Sequence, residues 1–147
     1  MPSRRNAVMA ITIDLSKLNY VFSEKPLLIG GKAMEYYGLR KAGADIDFVV
    51  SDYDHENLKQ LYPNNVRNIY GDIGVCEFEF EIWNQICLFR YDFLKQNAIE
   101  KETYLVAGID KLIFLKAIAM QNEKYMKDLR LLAKYATDIQ YGKKKLP

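Results

Sequence analysis

The chain has 147 residues, half of them hydrophobic, with eleven Tyr, seven Phe and a formal net charge of +2. That length suits one domain with a substantial core rather than two large ones, and the apolar fraction excludes a disordered chain. The near-neutral balance supplies no strong field, so it neither demands nor rules out a nucleic-acid partner. The N-terminal MPSRRNAV, followed by an apolar run broken at Asp14, does not make a signal peptide, and no run reaches the roughly 18 apolar residues of a membrane span. A soluble, cytoplasmic protein with no membrane partner is the expectation. Cys76 and Cys87 fall in apolar segments, which predicts buried free thiols rather than a disulfide.

Taken in order, Ile11 and Ile13 suit a short strand. Asp14 or Ser16 then caps a helix whose Leu15, Leu18, Val21 and Phe22 share one face. Pro26 ends that unit. Leu27–Ile29 reads as a short buried strand, Gly30-Gly31 as a tight turn, and the residues from Lys32 as a short helix closing at Gly38-Leu39-Arg40. A second strand carries Asp45 and Asp47. Ser51–Asp54 is rich in capping side chains and opens a helix over 54–62 with Leu58, Leu61 and Tyr62 inward. Val66–Tyr70 suits a strand, and Gly71–Gly74 a hairpin-like connection.

Residues 76–83, CEFEFEIW, alternate strictly, which predicts one half-buried strand with Glu77, Glu79 and Glu81 on its exposed face. Residues 84–89 would extend the sheet, 91–96 make a helical turn, and 104–106 a short extended segment. Leu112, Ile113, Leu115, Ile118 and Ala119 form the apolar stripe of a helix ending near Met120. Gln121-Asn122 breaks it. A second helix over 123–135 turns Met126, Leu129, Leu132, Ala133 and Tyr135 inward. The tail Lys143–Lys145 reads as solvated, and the single histidine, His55, as a surface residue. The fold expected is α/β (α+β), a small mixed sheet of about four or five strands packed on helices with a C-terminal helical pair. Residues 1–147 form one domain, with a core over 11–98 and a mainly helical segment over 99–147.

The chemistry gathers on the second strand. Residues two apart on a strand point the same way, so Asp45 and Asp47 stand side by side while Ile46 and Phe48 go into the core. Adjacent carboxylates repel unless a proton or a cation lies between them, and oxygen ligands suit Mg²⁺ or Mn²⁺. Asp is also a poor strand former, so two in an apolar strand need a reason. A glycine turn lets a group approach the backbone closely, and a helix start after it offers free N–H groups to a phosphate. Together these features suggest a nucleotide bound with its metal. With one histidine and no Ser/Cys–His arrangement, triad catalysis and zinc chemistry have no support.

Gly-Gly, a short helix ending in Gly38-Leu39-Arg40, and Asp45-Ile46-Asp47-Phe48 fourteen residues after Gly31 resemble the nucleotidyltransferase superfamily of DNA polymerase beta. The likeness is greatest to small minimal nucleotidyltransferases and to abortive-infection toxins and antibiotic-modifying enzymes related to them. The core of the match is Leu27–Val50, and it extends more weakly over Glu77–Trp83 and Asp110–Tyr135.

The resemblance implies a third metal-binding carboxylate on the acidic strand, Glu81 by preference, with Glu79 close behind. It implies phosphate contact at Gly30 and Gly31. Lys32 stands where the family usually carries Ser or Thr, and Ala33 fits a Gly-Gly-x-Ala variant. Arg40 would orient a carboxylate or reach a phosphate. Lys116 or Lys127 would touch the triphosphate, with Asp128 a structural partner of a basic residue. The implied activity is Mg²⁺-dependent (or Mn²⁺-dependent) transfer of a nucleoside monophosphate from a nucleoside triphosphate to an acceptor hydroxyl on an antibiotic, a tRNA or a protein. A toxin–antitoxin or defence role follows by analogy, with a cognate antitoxin or a homo-oligomer as partner. The alternative is a catalytically degenerate member that binds a nucleotide or a partner.

Overall fold

The structure, a computed structural model, describes residues 13–119 and 122–142. The strand residue expected at Ile11, the helix end near Met120, the break at Gln121 and the basic tail at Lys143–Lys145 lie outside them. The fold is mixed α+β. In chain order the strands are β1 (Leu27–Ile29), β2 (Ile46–Val49), β3 (Val66–Ile69), β4 (Asp72–Glu77), β5 (Phe80–Trp83), β6 (Gln85–Ile86), β7 (Phe89–Arg90), β8 (Ile99–Glu100) and β9 (Leu105–Val106). The helices are α1 (Gly30–Tyr36), α2 (Asp52–Leu61), α3 (Tyr91–Leu94), α4 (Ile109–Ile118) and α5 (Lys124–Gln140).

Seven strands form one sheet in the order β3-β4-β5-β2-β1-β9-β8. The sheet is wider than the four or five strands expected, because short pieces such as Ile99–Glu100 and Leu105–Val106 are too brief to announce themselves by alternation. β1 is antiparallel to β2 and parallel to β9, and β2 is parallel to β5. β1 is apolar throughout because it lies inside the sheet with both faces covered, and Leu27 and Leu28 are wholly buried. Leu28, Phe48, Phe80 and Ile82 share one face and form the centre of the core, with Phe48 stacked near Phe80 and Tyr104 at 6.2 Å between ring centres. Burial of each such side chain contributes about 1.5–3 kcal/mol. Ile29, Asp47, Glu81 and Trp83 occupy the opposite face, on which α4 and α5 stand. Tyr37, one residue past α1, ties the two layers together. Its hydroxyl donates to the Ala107 carbonyl at 2.8 Å and its ring meets Tyr135 of α5 at 5.9 Å.

Several local expectations are corrected. The helix expected over 14–22 is a single 3₁₀ turn, Leu15–Leu18, capped by Asp14 and stopped by Asn19 in the left-handed region at φ 50°. Beyond it Tyr20 is drawn to Asp54 at 2.7 Å, and Val21 is left 91% exposed. Residues 76–83 are not one strand. Phe78 adopts φ 55° and, with Glu79, turns the chain back, so β4 and β5 form a hairpin. Residues 85–90 do not extend the main sheet but fold into a separate ribbon, β6 on β7. Leu61, Ile118 and Ala133, expected inward, are exposed. His55 is buried, its Nε2 paired with the Ile73 carbonyl at 2.8 Å. Both cysteines are free, but Cys76 is only half-buried and Cys87 is exposed. Among the described residues no helix is long and apolar enough to cross a membrane.

Candidate functional site

The site grows from the end of β1. Gly30 takes φ +66°, and a Cβ there would lie 2.6 Å from Asp47 Oδ2, so only glycine fits. α1 begins at Gly30 itself, two residues earlier than the start near Lys32 that the sequence suggested. At Gly31 a Cβ would make only ordinary contact, 3.5 Å from Arg40 Nη1. The two glycines therefore differ: the first admits the Asp47 carboxyl to the backbone, and the second lies beside Arg40.

Asp47 pairs in register with Glu81 across the parallel β2–β5 ladder, which sets the two side chains next to each other on the helix-covered face. Asp45, the residue before β2, joins them at the exposed end. Burial, then the neighbouring Asp45 charge, pushes the Asp47 carboxyl up to about 6, against the pull of Lys116 and Lys124. Burial together with Asp47 and Asp45 pushes Glu81 up to about 7, with Arg67 of β3 opposing. Three acidic groups thus share a cavity of about 750 Å³. Its lining also includes Gly30, Gly31, Arg40, Lys116, Lys124, Tyr125, Lys127 and Asp128, closed on the apolar side by Ile69, Trp83, Ile86 and Leu131.

The basic side of the cavity is built by three elements. Arg40, from the loop after α1, grips Asp128 of α5 with both arms, Nε to Oδ1 at 2.6 Å and Nη2 to Oδ2 at 2.8 Å. Lys116 of α4 reaches Asp128 Oδ2 at 2.8 Å and lies 4.8 Å from the centre of the Tyr125 ring. Burial works to raise Asp128, but hydrogen bonds from Arg40 and Lys116 outweigh it and hold the carboxyl down at about 2. Arg40 thus lines the cavity while its hydrogen-bonded carboxylate is Asp128 rather than Asp45, Asp47 or Glu81. It locks α5 to the α1–β2 loop, and Asp128 is its partner as well as that of Lys116. Lys124 and Lys127, near the start of α5, line the same cavity.

Two expected site residues are placed elsewhere. Glu79 sits in the β4–β5 turn, where both its carboxylate oxygens are 2.9 Å from Lys17 Nζ, so the hairpin separates it from Glu81. Lys32 does not line the cavity. Glu77 likewise turns away and accepts from Asn65. Trp83 and Tyr125 were not anticipated. Trp83 had a signal, since it lies two residues after Glu81 and so shares its face. Tyr125 had none, because its placement depends on how α5 docks.

The donor set of Asp45, Asp47 and Glu81 fits a hard divalent cation by chemistry: all oxygen, acidic, and crowded enough that Asp45 helps to raise both Asp47 and Glu81. Among the described residues no three such side chains stand preformed around a single point. Comparison with family models, with curated proteins and with solved structures returns no match to this chain.

Proposed function

We propose that the chain is a Mg²⁺- or Mn²⁺-dependent nucleotidyltransferase that moves a nucleoside monophosphate from a nucleoside triphosphate to an acceptor hydroxyl. The observation that carries this is the register pairing of Asp47 with Glu81, beside Asp45 and the bare backbone of Gly30, in a cavity with lysines on its far side. Asp45, Asp47 and Glu81 would hold the metal. When bound, it would supply the positive charge that activates the attacking hydroxyl and steadies the leaving pyrophosphate. Lys124 and Lys127 would balance the triphosphate charge. The apolar wall of Ile69, Ile86 and Leu131 would keep water from the reacting groups.

The test is label transfer from each α-labelled nucleoside triphosphate with Mg²⁺ or Mn²⁺, using the protein itself, total RNA and hydroxylated antibiotics as acceptors. Transfer that disappears in the Asp45→Asn/Asp47→Asn double variant supports the proposal. Transfer that survives in the variant sinks it. One observation favours a second reading: Lys32, at the position where the resembling enzymes carry a hydroxyl, does not line the cavity. A non-catalytic nucleotide- or partner-binding protein would then show metal-dependent nucleotide binding with no transfer to any acceptor.

A further inference from the structure

The seven-stranded sheet ends differently on its two sides. β8 closes one end with only two residues, and the carbonyl that follows it, Lys101, already accepts from Lys25 Nζ at 2.8 Å. β3 forms the other end with four residues, all of them exposed. A row of unpaired N–H and C=O groups at a sheet edge is a template for another strand, and proteins blunt such edges with short strands, proline or bulges. β3 has no proline, and its register on β4 runs unbroken from Val66↔Val75 to Ile69↔Asp72.

Tyr70 at φ 53° and Gly71 at φ 95° make a two-residue turn after β3. Ile69 and Asp72 close that turn, so their N–H and C=O groups bond each other. Bonding alternates along an antiparallel strand, so Arg67 also faces β4, while Asn68 and Val66 turn their backbone groups outward. The edge is apolar as well: Val66 is 36% exposed, Ile69 38%, and Tyr70 fully.

Opposed residues on paired strands share a face, so a second β3 laid antiparallel on the first can centre on Arg67, Asn68 or Ile69. Centred on Arg67, it sets two guanidinium groups against each other and matches Ile69 with the partner's Asn65 and Tyr70 with the partner's Asn64. Centred on Ile69, it sets Val66 against the partner's Asp72 and Tyr70 against the partner's Asn68. Centred on Asn68, it brings the outward backbone groups of both asparagines together. Val66 then lies against the partner's Tyr70, an aromatic–β-branched pair, and Ile69 against the aliphatic stem of the partner's Arg67. Of the three, this register alone covers Val66, Ile69 and Tyr70 together and keeps like charges apart.

We infer that β3 is a self-association edge: two copies of the chain pair β3 antiparallel about Asn68 and continue the sheet across a twofold axis. The pairing brings each copy's Arg67 beside the partner's Ile69, which lines the acidic cavity of that subunit. An interface built on four residues from each copy is small, so the dimer is expected at on the order of tens of micromolar protein. The inference is independent of the reaction proposed for the cavity.

The experiment is sedimentation velocity over roughly 1–300 µM protein on wild type, Asn68→Pro and Tyr70→Asn. Asn68→Pro removes the outward N–H of the central pair, which β4 does not use. Tyr70→Asn removes the ring yet supplies the Asn-Gly sequence that a two-residue turn of this kind favours, so the hairpin is retained. Wild type is expected to dimerise, Asn68→Pro to stay monomeric, and Tyr70→Asn to dimerise at least about tenfold more weakly. In residue-resolved hydrogen exchange, the Asn68 amide of wild type should gain protection as concentration rises, while the Arg67 amide is protected throughout. Wild type that stays monomeric across the range would overturn the inference. So would a dimer that both variants leave intact, or an Asn68 amide indifferent to concentration. If circular dichroism shows Asn68→Pro misfolded, Tyr70→Asn and the exchange measurement decide.

Discussion

Asp47 and Asp54 are seven positions apart, the first half-buried and the second fully buried, and electrostatically opposite. Asp54 is 0% exposed and accepts from five donors: the Tyr20, Ser23 and Ser51 hydroxyls and the backbone N–H groups of Ser23 and Glu24. Burial works to raise it, but these bonds outweigh burial and leave it below the ordinary carboxylate range. Asp47 has no such set of donors but has two acidic neighbours, Asp45 and Glu81, and burial with the Asp45 charge raises it to about 6. The difference teaches that burial alone does not decide whether a carboxylate is raised or lowered; the supply of donors does. Asp54 ties the 20–24 segment to the start of α2 and is finished as a chemical group. Asp47 is left wanting positive charge, which is the condition of a site that takes a cation or a proton.

The sharpest way to break this contrast is to remove each carboxylate. Asp54→Ala strands five donors and is expected to cost about 4 kcal/mol of stability, read by urea unfolding. Asp47→Asn is expected to leave stability equal or higher while label transfer is lost by about a thousandfold, the scale of several kcal/mol of lost charge stabilisation. A third buried carboxylate, Asp128, belongs on the structural side. Asp128→Ala leaves Lys116 buried without its partner and frees Arg40, with an expected cost of about 3 kcal/mol, discounted because Arg40 is partly exposed. Hydrogen exchange should show α5 loosened from the rest of the fold, and an unchanged exchange pattern would count against the tie.

The pH dependence of stability sharpens the same contrast. Asp47 and Glu81, raised to about 6 and about 7, keep protons that the unfolded chain has already released above its ordinary carboxylate values near 4. Folded protein therefore binds more protons than unfolded protein in that window, and the stability of the metal-free form is expected to fall as pH rises from about 4 to about 7. Melting temperatures in chelator should decline across that range. Millimolar Mg²⁺ should restore them at the upper end, and Asp47→Asn should flatten the decline. Asp54 works in the opposite sense: its stabilisation is present above the ordinary carboxylate pKa and is lost as pH falls through its depressed value. The smallest effect is expected at Glu79. Its ion pair with Lys17 is partly exposed, so Glu79→Gln should change stability by less than about 1 kcal/mol and leave transfer at the wild-type rate. A Glu79→Gln protein without transfer would return that residue to the site.

The sequence by itself was enough for what depends on local periodicity and steric demand. The buried run Leu27–Ile29, the glycine turn, the strand carrying Asp47 and the helical C-terminal pair are all present as expected, because each is written within a few residues. Strand geometry accounts for Asp47 alone, because Asp45 lies one residue before β2 rather than within it. Where alternation and turn chemistry gave the same short-range signal, sequence could not choose. Residues 76–83 alternate as a continuous strand would, yet Phe78 turns in the left-handed region because strand pairing on both sides of it is worth more than one strained residue.

Only the tertiary structure decided which acidic residue stands beside Asp47, since Glu81 wins by its register on β2 and Glu79 is lost to Lys17 by the hairpin turn. The same holds for Arg40, whose partner Asp128 lies 88 residues away on an element that sequence could place only as a helix. It holds too for Trp83 on Gly74, a contact between two strands, and for His55, carried into the core by α2. Sequence determines which elements a chain can form. Their docking determines which charged groups meet, because a charge interaction acts through a few ångströms of space and not along the chain.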